Sequence, residues 1–243
     1  MSERFFITTQ PAGDRAVLEG DEARHLMRVL RAKVGDTVSL FDGRGREWPA
    51  RVASLGRDRV ELDTGEPTID PLAPAAIPVM LAVALPKGDR QKWMVEKLTE
   101  LGTARLIPLE TTRGVAEATA SAQARLERVV IEACKQCGRN TLMEVAAGRP
   151  LERLLAEVPA GAWVVIAHPG GTPLDVAAMP TTATEIIALV GPEGGFTDEE
   201  LGTADRAGVI RISLGPHVLR VETAAIALAA RMIASTPHTP SVG

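Results

Sequence analysis

The pattern of apolar and polar positions divides the chain into two parts that meet near residue 78. Beyond this point, short continuous apolar runs alternate with segments whose apolar residues recur at helical spacing. The runs predict buried strands at 79–85, 106–109, 163–167, 185–190 and 209–213. The periodic segments predict helices at 89–101, 121–137, 151–155 and 221–234. Strands that are buried on both faces and separated by helices are typical of a mostly parallel sheet in an α/β domain.

The first part of the chain is a β-rich region that extends to about residue 66. Its pattern predicts strands at 4–7, 38–41, 48–52 and 60–62, and a helix at 21–30. Asp42 and Gly43 predict a tight hairpin turn, because both residues tolerate positive φ. Several short strands in so few residues favour a small β-barrel.

A proline-rich stretch separates the two parts. Residues 66–78 contain four prolines, which is typical of a linker. We therefore expect a β-barrel at 1–70, a linker at 71–78 and an α/β domain at 79–243.

The last predicted helix is apolar on two faces. Ala224, Ala225 and Leu228 lie on one face, and Ile226, Ala230 and Ile233 lie on the other. A helix that is apolar on two sides is usually buried on both. The helix is therefore expected either at the centre of the domain or against a second subunit.

The helix predicted at 121–137 ends in a cysteine pair. Its apolar face contains Leu126, Val129, Val130, Ala133, Cys134 and Cys137. The lone C-x-x-C lacks the further ligands that zinc requires, and it does not start a helix as redox pairs usually do. We therefore expect structural thiols. The sequence also predicts no metal site among its histidines, which are His25, His168, His217 and His238.

Composition restricts the location and the partners. Of the 243 residues, 45% are hydrophobic, which is enough for a sizeable core. No apolar run approaches a membrane span, the N-terminus lacks the apolar segment of a signal peptide, and the two cysteines fit a reducing compartment. The sequence therefore predicts a cytoplasmic protein without a membrane partner.

Basic residues are concentrated in the first part of the chain. The net charge is −4 overall, but residues 24–59 contain nine basic and four acidic residues, a net charge of +5. Arg24, Arg28 and Arg31 recur at helical spacing, so a helix would place them on one face. Such a face suits contacts to phosphates, and an ordinary solvated face is the alternative.

Three predicted strand ends, at 168–171, 191–195 and 213–216, are rich in glycine and proline. We expect them to converge, because the carboxyl ends of parallel strands meet at one edge of the sheet. Glycine leaves backbone N–H and C=O groups bare, which favours a pocket lined by main chain and suited to an adenosyl-type ligand. Ordinary strand-to-helix turns are the alternative. The G-x-G-x-x-G fingerprint of dinucleotide sites is missing from the sequence.

Two of these segments carry a family resemblance. Residues 190–196 have the sequence Val-Gly-Pro-Glu-Gly-Gly-Phe, and residues 214–224 have the sequence Leu-Gly-Pro-His-Val-Leu-Arg-Val-Glu-Thr-Ala. Together they resemble the ribosomal RNA small subunit methyltransferase E family. Shorter motifs extend the resemblance over almost the whole chain: Arg4-Phe5-Phe6, Arg24-His25-Leu26, Val34-Gly35-Asp36, Phe41-Asp42-Gly43, Lys87-Gly88-Asp89-Arg90 and residues 132–140. The chain departs from the family at His217, where Arg or Lys is usual, and after Asn140, where a proline is usual.

The resemblance implies a fold and an activity. The expected fold is α/β, with a SPOUT-type trefoil-knotted, mostly parallel sheet domain, the knot being C-terminal, preceded by a small PUA-like β-barrel. The expected activity is S-adenosylmethionine-dependent methylation of N3 of a uridine in 16S rRNA, either as naked RNA or in the assembled small ribosomal subunit, by a homodimer. A SPOUT methyltransferase that acts on tRNA or 23S rRNA, and a non-catalytic RNA-binding dimer, are the alternatives.

The resemblance also implies residue roles. Arg220 would stabilise charge on the uracil carbonyl oxygens, and Glu222 would act as a base or orient Arg220. Capping of the last helix is the alternative for both. The implied S-adenosylmethionine site comprises Ala167, His168, Val190, Gly191, Glu193, Gly194, Gly195, Ser213, Leu214, Gly215, Val218, Leu219 and Thr223. The implied RNA contacts are Arg4, Arg24, Arg28, Arg31, Lys33, Lys87, Arg90, Lys92 and Lys97.

Overall fold

The computed structural model describes residues 3–69, 77–115 and 119–235. The chain packs as two compact units. The first comprises Met1–Ala73 and Cys134–Leu142, and the second comprises Pro74–Ala133 and Met143–Gly243. Most of the linker predicted at 71–78 lies outside the described residues, as does His238.

The first unit is built on a six-stranded sheet with the order β1-β3-β4-β5-β2, in which β6 pairs with β4. Its strands are β1 (Arg4–Phe6), β2 (Arg15–Glu19), β3 (Thr37–Phe41), β4 (Arg46–Leu55), β5 (Arg59–Thr64) and β6 (Thr68–Ile69). The predicted hairpin is confirmed, since β3 and β4 are antiparallel and the Asp42 carboxylate accepts hydrogen bonds from the backbone N–H of Arg44 and Arg46. Alternate side chains of these strands, among them Phe5 and Leu40, form one hydrophobic core, to which Leu26 of the segment after β2 also belongs.

The helix predicted at 21–30 is formed in two pieces. An α-helix, α1 (Gly20–Arg24), continues into a π-helical turn at His25–Val29. Because Arg31 lies beyond this turn with φ 53°, it is not on the helix. The expectation that Arg24, Arg28 and Arg31 share one helix face is therefore wrong.

A short segment from the middle of the chain completes the first unit. The backbone N–H of Gly45 donates to the Asn140 carbonyl (3.0 Å), and the N–H of Leu142 donates to the Gly43 carbonyl (3.0 Å). The Lys135 ammonium pairs with Glu22. The resemblance places residues 132–140 in the catalytic domain, whereas Cys134–Leu142 packs with the N-terminal unit.

The second unit contains a seven-stranded sheet with the order β10-β8-β7-β12-β11-β13, in which β9 pairs with β8. All of its strand pairs are parallel, which confirms the predicted sheet. Its strands are β7 (Val79–Val83), β8 (Arg105–Glu110), β9 (Glu144–Val145), β10 (Arg149–Pro150), β11 (Ala162–Pro173), β12 (Glu185–Val190) and β13 (Ile210–Ser213). Its helices are α2 (Asp89–Leu101), α3 (Ala120–Cys137), α4 (Leu151–Ala156), α5 (Asp198–Arg206) and α6 (Val221–Ser235), and the last four residues of α3 belong to the first unit.

Local chemistry fixes the ends of several of these helices. Helix α2 follows Gly88 and ends at Gly102, whose φ of 98° supplies the left-handed cap. Helix α5 begins with a capping box in which Thr197 and Glu200 exchange backbone-to-side-chain hydrogen bonds. The loops that precede α2 and α5 therefore end at Gly88 and Thr197.

Helix α6 packs against α2, β7 and β12. Ala225 and Leu228 on its first face are fully buried, whereas Ile226 and Ala230 on the second face are partly exposed. The helix therefore lies inside the unit on one side only. In the described part of the chain, no helix is long and apolar enough to cross a membrane.

Candidate functional site

A cavity of about 380 Å³ lies beside the carboxyl ends of β12 and β13 and the residues of β11 that follow Ala167. The three glycine-rich segments predicted to converge do so here. The lining residues are Ala167, His168, Pro169, Val190, Gly191, Pro192, Glu193, Gly194, Gly195, Phe196, Ser213, Leu214, Gly215, His217, Val218, Leu219, Val221 and Ala224. Main chain and apolar side chains therefore supply most of its surface.

The segment after Ala167 continues β11 instead of ending it. Both Ala167 and Thr172 pair with Ile212 of β13, so the intervening residues bulge out of the ladder towards the cavity. A Cβ built on Gly171 would lie 2.5 Å from the carbonyl carbon of Ile212. Only glycine allows the two backbones to approach this closely. The prediction that the strand ends at residue 167 is therefore wrong, because pairing with β13 resumes at Thr172 and Pro173 after the bulge.

The loop after β12, which we call the first loop (191–196), is held from several directions. Gly191 lies against the Phe196 ring, which a Cβ would approach to 2.7 Å. The Gly195 N–H donates to the Pro192 carbonyl (2.8 Å), which closes a tight turn. The Arg113 guanidinium donates to the Gly194 carbonyl (2.7 Å). These contacts place the backbone of the first loop beside the cavity in a defined conformation.

The loop after β13, which we call the second loop (214–219), is more exposed. The Ser213 hydroxyl and the backbone of Gly215 hydrogen-bond to each other (3.1 and 3.4 Å), so these contacts are local. The Val218 side chain lines the cavity yet is 81% exposed. The second loop is therefore the open side of the cavity.

The cavity contains all but one of the residues predicted to hold the cofactor. The exception is Thr223, which is exposed in the first turn of α6 and lies outside the lining. Sequence reasoning missed the apolar walls formed by Phe196, Val221 and Ala224. Their signal was their position immediately beside the two glycine-proline motifs.

The predicted catalytic pair is not arranged as expected. Arg220 is exposed, and its carbonyl accepts the first hydrogen bond of α6 from Ala224. Glu222 is 5% exposed, and its Oε2 lies 3.8 Å from Nη1 of Arg90. The ion-pair partner of Glu222 is therefore Arg90, and the two predicted roles of Glu222, as a base or in orienting Arg220, stay predictions.

Arg90 also pairs with Glu193 of the first loop. The hydrogen bond from Arg90 lowers the pKa of Glu193, and the charges of Arg90 and Arg220 act in the same direction. The hydrogen bond to Glu193 raises the pKa of Arg90. Two acidic side chains, Glu193 and Glu222, and two basic ones, Arg90 and Arg220, therefore lie at one side of the cavity.

Arg4 is accounted for by the first unit itself. Its guanidinium donates to Glu47 (3.1 Å), to the Asn140 side chain and to the Arg139 carbonyl (3.3 Å), and it lies over the Phe41 ring. Only 12% of its side chain is exposed. The expectation that Arg4 contacts RNA is therefore not supported, because the side chain is largely buried and both of its terminal nitrogens donate within the protein.

The other predicted RNA contacts differ in their surroundings. Lys97 is held between Glu96 and Glu100 (2.8 Å each), and the hydrogen bond to Glu100, followed by that to Glu96, raises its pKa. Arg24 pairs with Asp21 on the surface. The exposed members of the set are Arg24, Arg28, Arg31, Lys33, Lys87 and Lys92.

The two cysteines have different environments. Cys134 is buried, and burial raises the pKa of its thiol to about 12. Cys137 is the last residue of α3 and is exposed, so the apolar face predicted for this helix is buried at Cys134 but not at Cys137. Among the described residues, no group of three or more His, Cys, Asp and Glu side chains is arranged to hold a metal ion.

An adenosyl ligand fits the residues that line the cavity. The volume falls within the range of about 300–1,000 Å³ that is usual for small-molecule sites. Gly191, Gly194 and Gly195 line the cavity without side chains that would fill it, and Leu214 and Leu219 supply apolar contacts. A neutral base is recognised by shape and by main-chain hydrogen bonds, which this lining provides.

Two protein-family models match this chain, and both are described as domains of RNA methyltransferases. A model described as an RNA methyltransferase domain matches residues 73–233, and a model described as an RNA methyltransferase PUA domain matches residues 18–64. The fold and the cavity are therefore those of an RNA methyltransferase that carries a PUA domain.

Individual relatives define the family. The chain is 32% identical over 231 residues to ribosomal RNA small subunit methyltransferase E of Mycobacterium bovis, which covers 91% of this chain and 87% of the relative. It matches the crystal structure of the Neisseria gonorrhoeae enzyme of that name bound to S-adenosylmethionine, with a TM-score of 0.86, 30% identity, and coverage of 96% and 97%. It also matches the structure of a putative methyltransferase from Legionella pneumophila in complex with the same cofactor. The TM-score is 0.87, the sequence identity is 28%, and the match covers 97% of this chain and 98% of the other. The chain belongs to the ribosomal RNA small subunit methyltransferase E family.

Proposed function

We propose that the protein transfers a methyl group from S-adenosylmethionine to N3 of a uridine in 16S rRNA. The observation that carries this proposal is the cavity formed by the β11 bulge and by the loops after β12 and β13. Its lining is built from the motifs that carry the family resemblance. Relatives of similar fold are described as bound to S-adenosylmethionine, which supports the same cofactor here.

The lining residues divide the work of binding. Ala167, His168 and the first loop hold the cofactor from one side, and Ser213 and the second loop hold it from the other. The His168 ring accepts a hydrogen bond at Nδ1 from the Gly170 N–H (3.0 Å), so the neutral ring has its proton on Nε2. His168 therefore presents a donor to the ligand. When bound, S-adenosylmethionine supplies an electrophilic methyl group on its sulfonium.

The target nitrogen requires activation by the protein. N3 of uracil carries a proton and becomes nucleophilic only when this proton passes to water, which reaches the open side of the cavity. The resulting negative charge spreads over the two carbonyl oxygens. Arg220, exposed beside the cavity, stabilises this charge with its guanidinium.

RNA is bound by basic residues that the protein does not use internally. In the first unit these are Arg24, Arg28, Arg31 and Lys33, and in the second unit they are Lys87 and Lys92. The surface pair between Arg24 and Asp21 is worth little energy, so phosphate can replace the carboxylate. Affinity for RNA should therefore fall steeply as salt rises.

Three further features belong to the proposal. The partly exposed second face of α6, with Ile226 and Ala230, supports a homodimer whose seam contains this helix. The close approach of the β11 backbone to Ile212 at Gly171, together with the family resemblance, supports a trefoil knot in the C-terminal part of the second unit. The substrate, either 16S rRNA or the assembled small subunit, implies a cytoplasmic enzyme without a metal cofactor.

Transfer of a labelled methyl group to small ribosomal subunits from a strain that lacks the enzyme tests the proposal. Purified protein and labelled S-adenosylmethionine are incubated with small subunits, naked 16S rRNA, large subunits and tRNA in parallel. Mass mapping of the products should locate one new methyl group on N3 of a uridine in 16S rRNA.

The parallel substrates separate the alternatives. Label in 23S rRNA or tRNA alone would identify a different SPOUT methyltransferase. Cofactor binding without label in any RNA, or RNA binding without cofactor binding, would leave a non-catalytic RNA-binding protein. The Arg220→Ala variant should bind S-adenosylmethionine normally yet methylate at least about 100-fold more slowly, since loss of one charge-stabilising donor has that size of effect.

A further inference from the structure

Arg90 lies where the two loops of the cavity come together. It is the second residue of α2, which starts after the positive-φ Gly88. Its Nη1 atom contacts Glu193 of the first loop and lies 3.8 Å from Oε2 of Glu222. Glu222 belongs to the first turn of α6, directly after the second loop. One guanidinium therefore bridges the segments that carry both loops.

The two acidic partners of Arg90 differ in burial. Glu193 is exposed, with 58% of its side chain accessible, so its pair with Arg90 alone is a weak surface ion pair. Glu222 has 7% of its side chain accessible, and its Oε2 has no hydrogen-bond partner among the described residues. A buried carboxylate is costly unless a positive charge lies close by. Arg90 supplies that charge.

The neighbours of both acids line the cavity. Glu193 itself faces it, between Pro192 and Gly194, and Glu222 lies between the lining residues Val221 and Ala224 on α6. Moving either carboxylate changes the distance between the first loop and the start of α6. Arg90 does not line the cavity itself, so it acts through these residues.

We propose that Arg90 is a positioning residue for the cofactor cavity, which sets the spacing of the two loops through Glu193 and Glu222. This inference rests on the proposed function, because it assigns the residue to cofactor binding. It replaces the expectation that Arg90 contacts RNA phosphates. A residue bridging two acids has its charge satisfied within the protein, and it differs in this from the exposed Lys92 two positions later.

Calorimetric titration of S-adenosylmethionine into the full-length protein without RNA tests the inference. The wild type is measured first, then Arg90→Ala, Arg90→Lys, Glu222→Gln and the double variant Arg90→Ala with Glu222→Gln. Arg128→Ala, an exposed arginine on α3, is the matched control. Thermal unfolding of each variant checks that it is folded. If Arg90→Ala does not fold, the cofactor affinity of Arg90→Lys is compared with that of the wild type instead.

Loss of the bridge should weaken cofactor binding about tenfold in Arg90→Ala, within the range of couplings between residues in contact. Arg90→Lys should lose about threefold, because one ammonium keeps the charge but lacks the planar fork that serves two acids. In the Glu222→Gln background, removal of Arg90 should add less than about twofold. Arg128→Ala should bind as the wild type does.

RNA binding separates the two assignments of Arg90. Affinity for a 16S rRNA fragment, measured over a series of salt concentrations, should keep its salt slope in Arg90→Ala and lose about one unit of slope in Lys92→Ala. Wild-type cofactor affinity in Arg90→Ala, a reduced salt slope in that variant, or fully additive losses in the double variant would overturn the inference. Absence of cofactor binding by the wild type would instead contradict the proposed function.

Discussion

The two loops of the cavity share a sequence logic but differ in how the protein holds them. The first loop is fixed by the Phe196 ring, by Arg113 and by the Arg90–Glu193 pair. The second loop has local hydrogen bonds and ends in an exposed Val218. Glycine followed by proline therefore predicts bare backbone in both loops, whereas rigidity depends on side chains from other elements. One wall of the cavity is preformed, and the other is open for ligand to enter.

The largest effect is expected at Gly171, where the backbone of β11 lies against Ile212 of β13. Gly171→Ala would place a Cβ 2.5 Å from the Ile212 backbone, which has no side-chain freedom to move away. Overpacking of this kind costs about 3 kcal/mol or more. Urea unfolding measures the loss. Gly202→Ala in α5, where a Cβ has room, is the control and should be neutral or slightly stabilising. Equal stability of the two variants would contradict the close approach of the Gly171 backbone to Ile212.

The first loop should respond next. In Gly191→Ala the new Cβ would lie 2.7 Å from the Phe196 ring, which must shift. We expect a loss of about 2 kcal/mol in the free energy of unfolding and weaker binding of S-adenosylmethionine. Calorimetry and urea unfolding of the same preparation measure both. Unchanged cofactor affinity at reduced stability would separate the loop from the binding site.

The helix that follows the first loop should show a smaller, pH-dependent effect. Thr197→Ala removes the cap of α5 and should cost about 1 kcal/mol. Burial acts to raise the pKa of Glu200, but hydrogen bonds from Thr197 and Thr112 outweigh it and lower the pKa overall. A lowered pKa stabilises the fold above the unfolded pKa, and this contribution disappears as the pH falls through the folded value.

Unfolding of wild type and Glu200→Gln as a function of pH measures this contribution. The wild type should be more stable at pH 7, and the difference should shrink below about pH 4, near the ordinary pKa of glutamate. A difference that grows as the pH falls would contradict the assigned hydrogen bonds.

The second loop should give the smallest change in stability. Val218→Ser alters a side chain that is 81% exposed, so the free energy of unfolding should change by less than about 0.5 kcal/mol. Cofactor affinity should nevertheless fall, because Val218 lines the cavity. Val34→Ser, at an exposed valine of the first unit, is the control and should change neither quantity. A large loss of stability in Val218→Ser would show that the loop is packed rather than open.

Features with local causes were predictable from the sequence. The limits of α2 were predicted correctly, because Gly102 stops the helix. The limits of β12 were also correct, because the apolar run 186–190 follows Glu185 and ends before a glycine. The convergence of three glycine-rich segments followed from the rule that parallel strands end at one edge.

Features that depend on distant partners were not predictable. β2 was missed because Arg15–Glu19 alternates over only five residues with charged ends. Arg4 has the charge of an RNA contact, but Glu47 and Asn140 capture it from positions far along the chain. The pairing of Arg90 with Glu222 likewise depends on the packing of α2 against α6. No local sequence pattern predicts contacts between residues that lie so far apart in the chain.

The central claim is that the two loops enclose S-adenosylmethionine, and amide hydrogen exchange with and without this cofactor tests it most directly. Peptides that cover 213–219 should exchange much more slowly when the cofactor is present, and peptides that cover 191–196 should slow less because that loop is already held. Peptides that cover 37–64 in the first unit should be unchanged. Unaltered exchange at 213–219, or protection confined to 37–64, would contradict the account.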